Sequence, residues 1–335
     1  ISSMPRVSVV IPLYQTEAYI EQALRSVLAQ SFTDFEALVI DDGSQDRGPE
    51  IARSFADPRV KVITQANRGL AGARNSGIRL ACGEYIALLD ADDLWHPTKL
   101  ERHVAQLDGD PSIDVSFSAS RLIDEVGDDI GLVQRPKAGA LQPSDFFCRN
   151  PVGNGSAPVL RRAALDRIAF EDVDLQRICW FDESFRQSED IECWVRMVAG
   201  AGCRFGYVDE ALTLYRVNSS GLSANVEKQL ATWRKFRDKV ADYAPDMVAR
   251  YGRRAEAYQL RYLARRAVYS ERRTLAFVLA WKSLLTFPRM LVEEPIRSIA
   301  TFSAALAKLV LSSALFERIE RVALQYASAR PGLRL

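Results

Sequence analysis

The chain opens on an apolar, β-branched run from Val7 to Ile11 that stops at Pro12, the pattern of a buried strand running into a loop. Residues 17 to 30 then place Ile20, Leu24, Val27 and Leu28 on one helical face, and Phe35 to Ile40 returns to a strand ending in Asp41-Asp42-Gly43-Ser44. The same alternation continues through a helix at 46 to 56, a strand at Val60 to Thr64, a Gly-rich turn at Asn67 to Gly72, and a helix through Leu80. A further strand, Tyr85 to Leu89, also ends in acids. Such β-α-β alternation predicts an α/β fold of Rossmann-like kind, with a mainly parallel mixed sheet flanked by helices and ligands bound at the carboxyl ends of its strands.

A second block, from about 113 to 217, holds strand candidates at Val115 to Ser118 and Phe205 to Val208 and a helix across Asp190 to Ala199; it is expected to complete the sheet. After Ser223 the pattern turns to long helices broken near Pro245, Pro288 and Pro295. The expected division is an α/β domain over 4–225 and a basic α-helical extension over 226–335. Ile1-Ser2-Ser3 ahead of Met4 reads as a cloning remnant.

Composition narrows the chemistry. With 48% hydrophobic and 26% charged residues the chain is globular. Its five cysteines are odd in number and include no CxxC pair, which speaks against a disulfide framework or a zinc knuckle and for a reducing compartment. Two histidines, His96 and His103, leave carboxylates to carry acid-base work. The net charge of +1 conceals an asymmetry: 226–335 hold 21 Lys/Arg against 10 Asp/Glu, and 1–225 hold 23 against 33.

Asp90-Ala91-Asp92 directly follows a strand, so two carboxylates can converge just beyond the sheet and suit Mg²⁺ or Mn²⁺. Alone, the pair is a weak signal and reads first as a solvated turn that caps the next helix. Its context is an ordered set: Val9-Val10-Ile11-Pro12-Leu13-Tyr14, Val39-Ile40-Asp41-Asp42-Gly43-Ser44, Asn67-Arg68-Gly69-Leu70-Ala71-Gly72-Ala73-Arg74-Asn75, and Leu88-Leu89-Asp90-Ala91-Asp92-Asp93. Phe181-Asp182-Glu183, Ser188-Glu189-Asp190 and Tyr215-Arg216 follow in order. Over roughly residues 6 to 223 this resembles the family 2 glycosyltransferases with the GT-A fold.

The resemblance implies that Tyr14 stacks on a nucleobase and Asp42 accepts its N–H, a pairing that suits uracil and hence a UDP-sugar donor. It implies further that Pro12 and Glu17 line the nucleotide pocket and that Arg74 lies near the diphosphate. Asp92 is the first choice for the metal ligand and Asp90 the second, orienting the donor or completing the metal's water shell, while Asp93 supports or caps. Asp190, beside Glu189, is the expected catalytic base of an inverting displacement. The plainer roles stay open: a core-covering Tyr14, an Asx-turn Asp42, and acids that merely open a helix. Trp180 and Trp194 either shape an acceptor pocket or fill the core. Arg196 is either a site cation or a structural one. Asn218 stands where many members carry His, and its amide cannot act as an imidazole ligand.

In the tail, arginines interleave with Trp233, Phe236, Tyr243, Tyr251, Tyr258 and Tyr262, a pattern for peripheral contact with anionic lipid or for solvated helix faces. Ser298 to Phe316 reads as a packing or interfacial helix rather than a span. No nucleic-acid module accompanies the basic residues. The expectation is an inverting, metal-dependent hexosyltransferase that moves sugar from a UDP-sugar to a glycan or lipid-linked acceptor in surface or exopolysaccharide synthesis. It would work in the cytoplasm or at the inner face of the membrane. A metal-dependent nucleotidyltransferase and a non-catalytic sugar-nucleotide-binding protein are the alternatives.

Overall fold

A computed structural model of the protein describes residues 4–136, 139–217, 225–270, 272–311, 315, 316 and 318. They form two compact units, divided in the chain between positions 218 and 219.

The first unit begins with β1 (Val7–Leu13), α1 (Ile20–Leu28), β2 (Phe35–Asp41), α2 (Gly48–Arg53), β3 (Val60–Thr64), α3 (Gly69–Leu80) and β4 (Tyr85–Leu88). Every residue of β1 is buried, as a parallel strand covered on both faces requires. The α1 stripe buries Ile20, Ala23, Leu24 and Val27. β3, β2, β1 and β4 lie side by side in that order, all parallel, with Leu13 paired to Asp41. Their carboxyl ends therefore open on one edge, where the turns after Leu13, Asp41 and Leu89 emerge.

The unit continues through β5 (Leu94–Trp95), α4 (Lys99–Gly109), β6 (Val115–Ile123), β7 (Asp129–Gln134), α5 (Pro143–Cys148), β8 (Val159–Arg161), α6 (Arg162–Ile168), β9 (Phe170–Asp172), β10 (Arg177–Cys179), α7 (Glu189–Val195) and β11 (Phe205–Arg216). The sheet runs β3-β2-β1-β4-β8-β6-β11-β5, with β7 added beside β6. β8 is antiparallel to both β4 and β6, and β11 is parallel to β6, so the sheet is mixed as expected. β9 and β10 make a separate antiparallel pair. Strands read from sequence as four-residue pieces are longer here, because β6 and β11 pair with each other across register shifts between Val208 and Thr213. The helix expected from Asp190 starts one residue earlier and ends in a single π-helical turn, Arg196–Gly200.

The expected Gly-rich turn at 67–72 is instead the entry to α3, which begins at Gly69. Gly77 on this helix faces β1: a Cβ there would lie 2.2 Å from Val10 Cγ1, so only hydrogen lets helix and strand approach this closely.

The second unit consists of α8 (Val226–Tyr243), α9 (Pro245–Tyr269), α10 (Arg273–Thr286), α11 (Met290–Glu293) and α12 (Pro295–Val310), with no strand among the described residues. Pro245 and Pro295 open α9 and α12, where a missing N–H costs nothing, and Pro288 falls between α10 and α11. Its core packs Leu260, Leu263, Ala264 and Ala267 of α9 against Ala276, Leu279 and Ala280 of α10 and Ala305 of α12. Alanines let these helices pack closely.

Candidate functional site

The turn after β2 does two jobs. Asp41 stays structural, its carboxylate accepting from Ser44 N–H at 3.0 Å and Thr64 Oγ1 at 3.0 Å. Asp42, buried at the same edge, accepts from Gln65 Nε2 at 2.7 Å and Arg68 N–H at 2.8 Å on Oδ1, and from Gly69 N–H at 2.9 Å on Oδ2. It thus caps the start of α3, which is why the glycine-rich stretch is helical. A carboxylate has about four lone-pair positions, so Oδ2 retains one for a ligand N–H.

Tyr14 leaves β1 with 51% of its surface exposed, while Pro12 is buried in the strand below it. The next residue, Gln15, has φ +52 and its amide oxygen accepts from Gln45 N–H and Asp46 N–H. Glu17 is exposed, and its carboxylate accepts from Arg47 N–H at 2.9 Å. These bonds tie the β1 and β2 exits together, so Pro12, Tyr14, Glu17 and Asp42 share one edge.

The acidic turn after β4 is more deeply set. Asp93 is buried, its carboxylate accepting from Ser156 Oγ at 2.6 Å and Arg216 N–H at 2.9 Å. Burial and the charges of Asp92 and Asp90 hold its acid well above the usual range. Asp93 is therefore an anchor. Ser156 Oγ in turn accepts from Asp90 N–H, and Arg216 Nε donates to the Asp92 carbonyl at 2.7 Å. Asp92 keeps its side chain free of these anchors, and burial, followed by repulsion from Asp90, pushes it up to about 6. No three His, Cys, Asp or Glu side chains converge as a ready cage among the described residues. Asp90 and Asp92 nevertheless fit Mg²⁺ or Mn²⁺, which commonly take one or two carboxylates and complete their shell with water and substrate phosphate. A desolvated carboxylate held against a like charge is the donor chemistry such a cation relieves.

Asp190 enters from α7. The residue before the helix pair, Ser188, is left-handed with φ +59, an uncommon conformation outside glycine that aims the following acids. Burial, and then the neighbouring Glu189, push the half-buried Asp190 carboxyl up to about 7 against the pull of Arg74. Arg74 is the link between the two acidic groups: Nη2 meets Asp90 Oδ1 at 2.8 Å and Nη1 meets Glu189 Oε1 at 2.7 Å. Burial opposes its charge, but Asp90, Glu189 and Asp190 keep it firmly protonated. With 1% exposure it bridges carboxylates below the surface. Gly155 makes room for it, since a Cβ there would lie 2.2 Å from Arg74 Nη2.

Three candidates sit in packing and ion-pair contacts. Trp194 is buried against the edges of Phe181 and Phe205. Trp180 is 7% exposed, with its backbone N–H on Asn75 Oδ1 and Arg79 over its ring. Arg196 pairs with Glu192 at 2.8 Å and donates to the carbonyls of Ile168 and Trp180, which makes it a structural cation. Asn218 lies outside the described residues. Sequence reasoning missed Gly155 and Ser156; the only available signal was the turn composition of Gly153-Asn154-Gly155-Ser156, which says nothing about the distant acids it supports.

Residues 8–168 match the family model described as Glycosyl transferase family 2. An uncharacterized glycosyltransferase of Nostoc sp. is 30% identical over 293 residues, covering 80% of this chain and 83% of that one. The chain belongs to glycosyltransferase family 2. Within the family, the uncharacterized glycosyltransferase EpsJ of Bacillus subtilis is 46% identical over 101 residues; the match covers 30% of this chain and only 29% of that relative's length. Among solved structures, S. aureus TarS 1-349 in complex with UDP-GlcNAc aligns with a TM-score of 0.57 at 18% identity, covering 90% of this chain and 91% of that one. The mannosyltransferase PcManGT of Pyrobaculum calidifontis, in complex with GDP-Man and Mn²⁺, aligns with a TM-score of 0.55 at 21% identity over 93% of this chain and 89% of that one. The shared fold is of the GT-A type.

Proposed function

We propose that this family 2 member is an inverting, metal-dependent glycosyltransferase that moves a hexose-type sugar from a UDP-sugar to a glycan or lipid-linked acceptor in surface or exopolysaccharide synthesis. The observation that carries the reading is the Arg74 bridge. One buried guanidinium fastens the acidic turn after β4 to the start of α7, so the donor-side acids and the residue chosen as base belong to one rigid assembly. The other supports are the family itself and Asp190's elevated pKa, which suits a base working near neutrality.

In this mechanism Tyr14 stacks on the base, and the spare lone pair of Asp42 accepts the uracil N–H. Asp92, with Asp90 as second choice, holds Mg²⁺ or Mn²⁺, which when bound neutralises charge on the departing diphosphate. Asp190 takes the proton of the acceptor hydroxyl as that oxygen attacks the anomeric carbon. The carbon–oxygen bond to the diphosphate breaks with its electron pair going to the leaving group, and one displacement inverts the centre. The work would be done at the cytoplasmic side, where nucleotide sugars are available.

A screen of UDP-Glc, UDP-Gal, UDP-GlcNAc, UDP-GalNAc and GDP-Man, reading nucleotide release with Mg²⁺ and with Mn²⁺, tests the donor. Release is expected from a UDP-sugar, and a preference for GDP-Man overturns the uracil assignment. Asp190→Asn is expected to lower transfer by at least about 10²-fold with UDP binding retained in calorimetry. Asp92→Ala is expected to weaken UDP binding only when the metal is present. Full activity in Asp190→Asn removes Asp190 as the base, whereas donor binding with no transfer by the parent protein leaves a sugar-nucleotide-binding role as the better reading.

A further inference from the structure

The second unit carries a surface that sugar transfer does not require. Of the large apolar residues exposed among the described positions, nearly half lie between 278 and 315, far more densely than elsewhere in the chain. On α10 they fall at Val278, Trp281 and Leu285, exposed by 38%, 49% and 61%, a spacing that makes one helical stripe. On α12 the corresponding stripe is Ile296, Ile299 and Leu306. The two stripes adjoin, because Phe302 of α12 stacks at 5.9 Å from Trp281 and 5.8 Å from Phe277 on α10. Both helices bury their other faces: α10 turns Ala276, Leu279 and Ala280 inward, and α12 turns Ala305. The result is a continuous apolar face centred on an aromatic seam.

Its border is cationic. Lys282 follows Trp281 and is exposed, and Arg289 is exposed between α10 and α11, while Arg297 in the first turn of α12 lies 3.9 Å from Glu294. The nearby acids are already engaged: Glu293 accepts from Tyr258 and pairs with Arg254 at 3.0 Å, and Glu294 pairs with Arg261. The whole segment 226–335 carries 21 basic against 10 acidic residues. No helix among the described residues is long and apolar enough to cross a membrane. Apolar stripes with an amphipathic tryptophan, a basic rim and insufficient length to span fit the plane of an anionic bilayer surface.

We infer that the α10–α12 face docks on anionic membrane, inserting Trp281, Leu285 and Ile299 among the lipid headgroups while Lys282 and Arg289 meet their negative charge. The inference rests on the second unit alone and gives the proposed transferase a surface on which a lipid-linked acceptor would be met. It stands or falls separately from the transferase reading, because vesicle binding needs neither donor nor turnover.

The test is co-sedimentation of the full chain with vesicles of phosphatidylcholine alone and of phosphatidylcholine with 30% phosphatidylglycerol, a mole fraction of about one-third chosen to give a negative surface potential. Binding is expected only to the anionic vesicles, weakening as salt rises, with a blue shift in tryptophan emission. Trp281→Ser with Leu285→Ser is expected to bind at least about tenfold more weakly, and Trp281→Phe alone to bind nearly as the parent while losing most of the blue shift. Lys282→Glu with Arg289→Glu changes only exposed side chains; it is expected to lose anionic selectivity with its circular dichroism unchanged. Equal binding by parent and both double variants overturns the inference, as does failure of the parent to bind. So does a parent dimer that Trp281→Ser with Leu285→Ser converts to monomer in light scattering, which would assign the face to a second copy.

Discussion

Asp190 is the residue on which the proposed chemistry turns, and its surroundings set the pH at which it is available. In an unfolded chain its carboxyl would lose its proton near 3.8, whereas in the fold burial and Glu189 hold the proton until about 7. The folded state therefore binds this proton more tightly, and the contribution of Asp190 to stability falls as pH rises from about 4 to 7, then levels. The same shift governs the base: kcat/KM is expected to drop as pH falls through about 7, far above the ordinary aspartate range. A pH–rate profile checks this, and a rate flat down to pH 5 would remove Asp190 from the role. Arg74 limits the shift, since its charge favours the ionised form of Asp190 while its two prongs are held by Asp90 and Glu189. Asp42 shows the opposite economy, one carboxylate serving both helix cap and proposed base contact.

At the scale of elements, the site depends on how closely α3 lies on the sheet. Asp42 fixes where the helix starts, Gly77 fixes how near it comes to β1, and Arg74 projects from between them. Gly77→Ala is expected to cost about 1–3 kcal/mol in urea unfolding, because the new methyl meets Val10 at 2.2 Å. Adding Val10→Ala should recover part of that loss; no recovery would mean the strain lies elsewhere. The β1, β2 and β4 strands were legible in sequence because strands buried on both faces are unbroken apolar runs, and β3 was bounded by the same alternation. The start of α3 was not legible: glycines favour turns locally, and the hydrogen bonds that override this come from Asp42, 26 residues upstream of Arg68. β5, β7 and β8 escaped for a similar reason, being short strands defined by their partners instead of by periodicity.

At the scale of the molecule, each unit has its own core. The first is built from strands β1, β2 and β4 with α1 and α4, and the second from the alanine-rich contacts of α9, α10 and α12. Leu263 is fully buried in the second core. Leu263→Ala is expected to destabilise that unit by about 2–5 kcal/mol and to speed hydrogen exchange at the backbone amides of α9 and α10. Unchanged protection there would show that this core does not hold the helices together. The charge asymmetry read along the chain belongs to this scale too, since it places the basic excess on the unit that exposes the apolar face.

The sequence by itself determined the α/β class, the order of β1 to β4 and the helices between them, the acidic turns at Asp41–Asp42 and Asp90–Asp93, and the helical character of the segment after 226. These are local properties: hydrophobic periodicity and turn chemistry act over a few residues and leave a direct trace in the chain. Only the tertiary structure decided which acids anchor and which stay available, that Arg74 joins Asp90 to Glu189, itself 115 residues from Arg74, and that Trp194 and Arg196 belong to the packing. It also decided that the stripes of α10 and α12 form one face. Burial, pKa and shared surface depend on neighbours distant in sequence, and a single chain read in order carries no record of them.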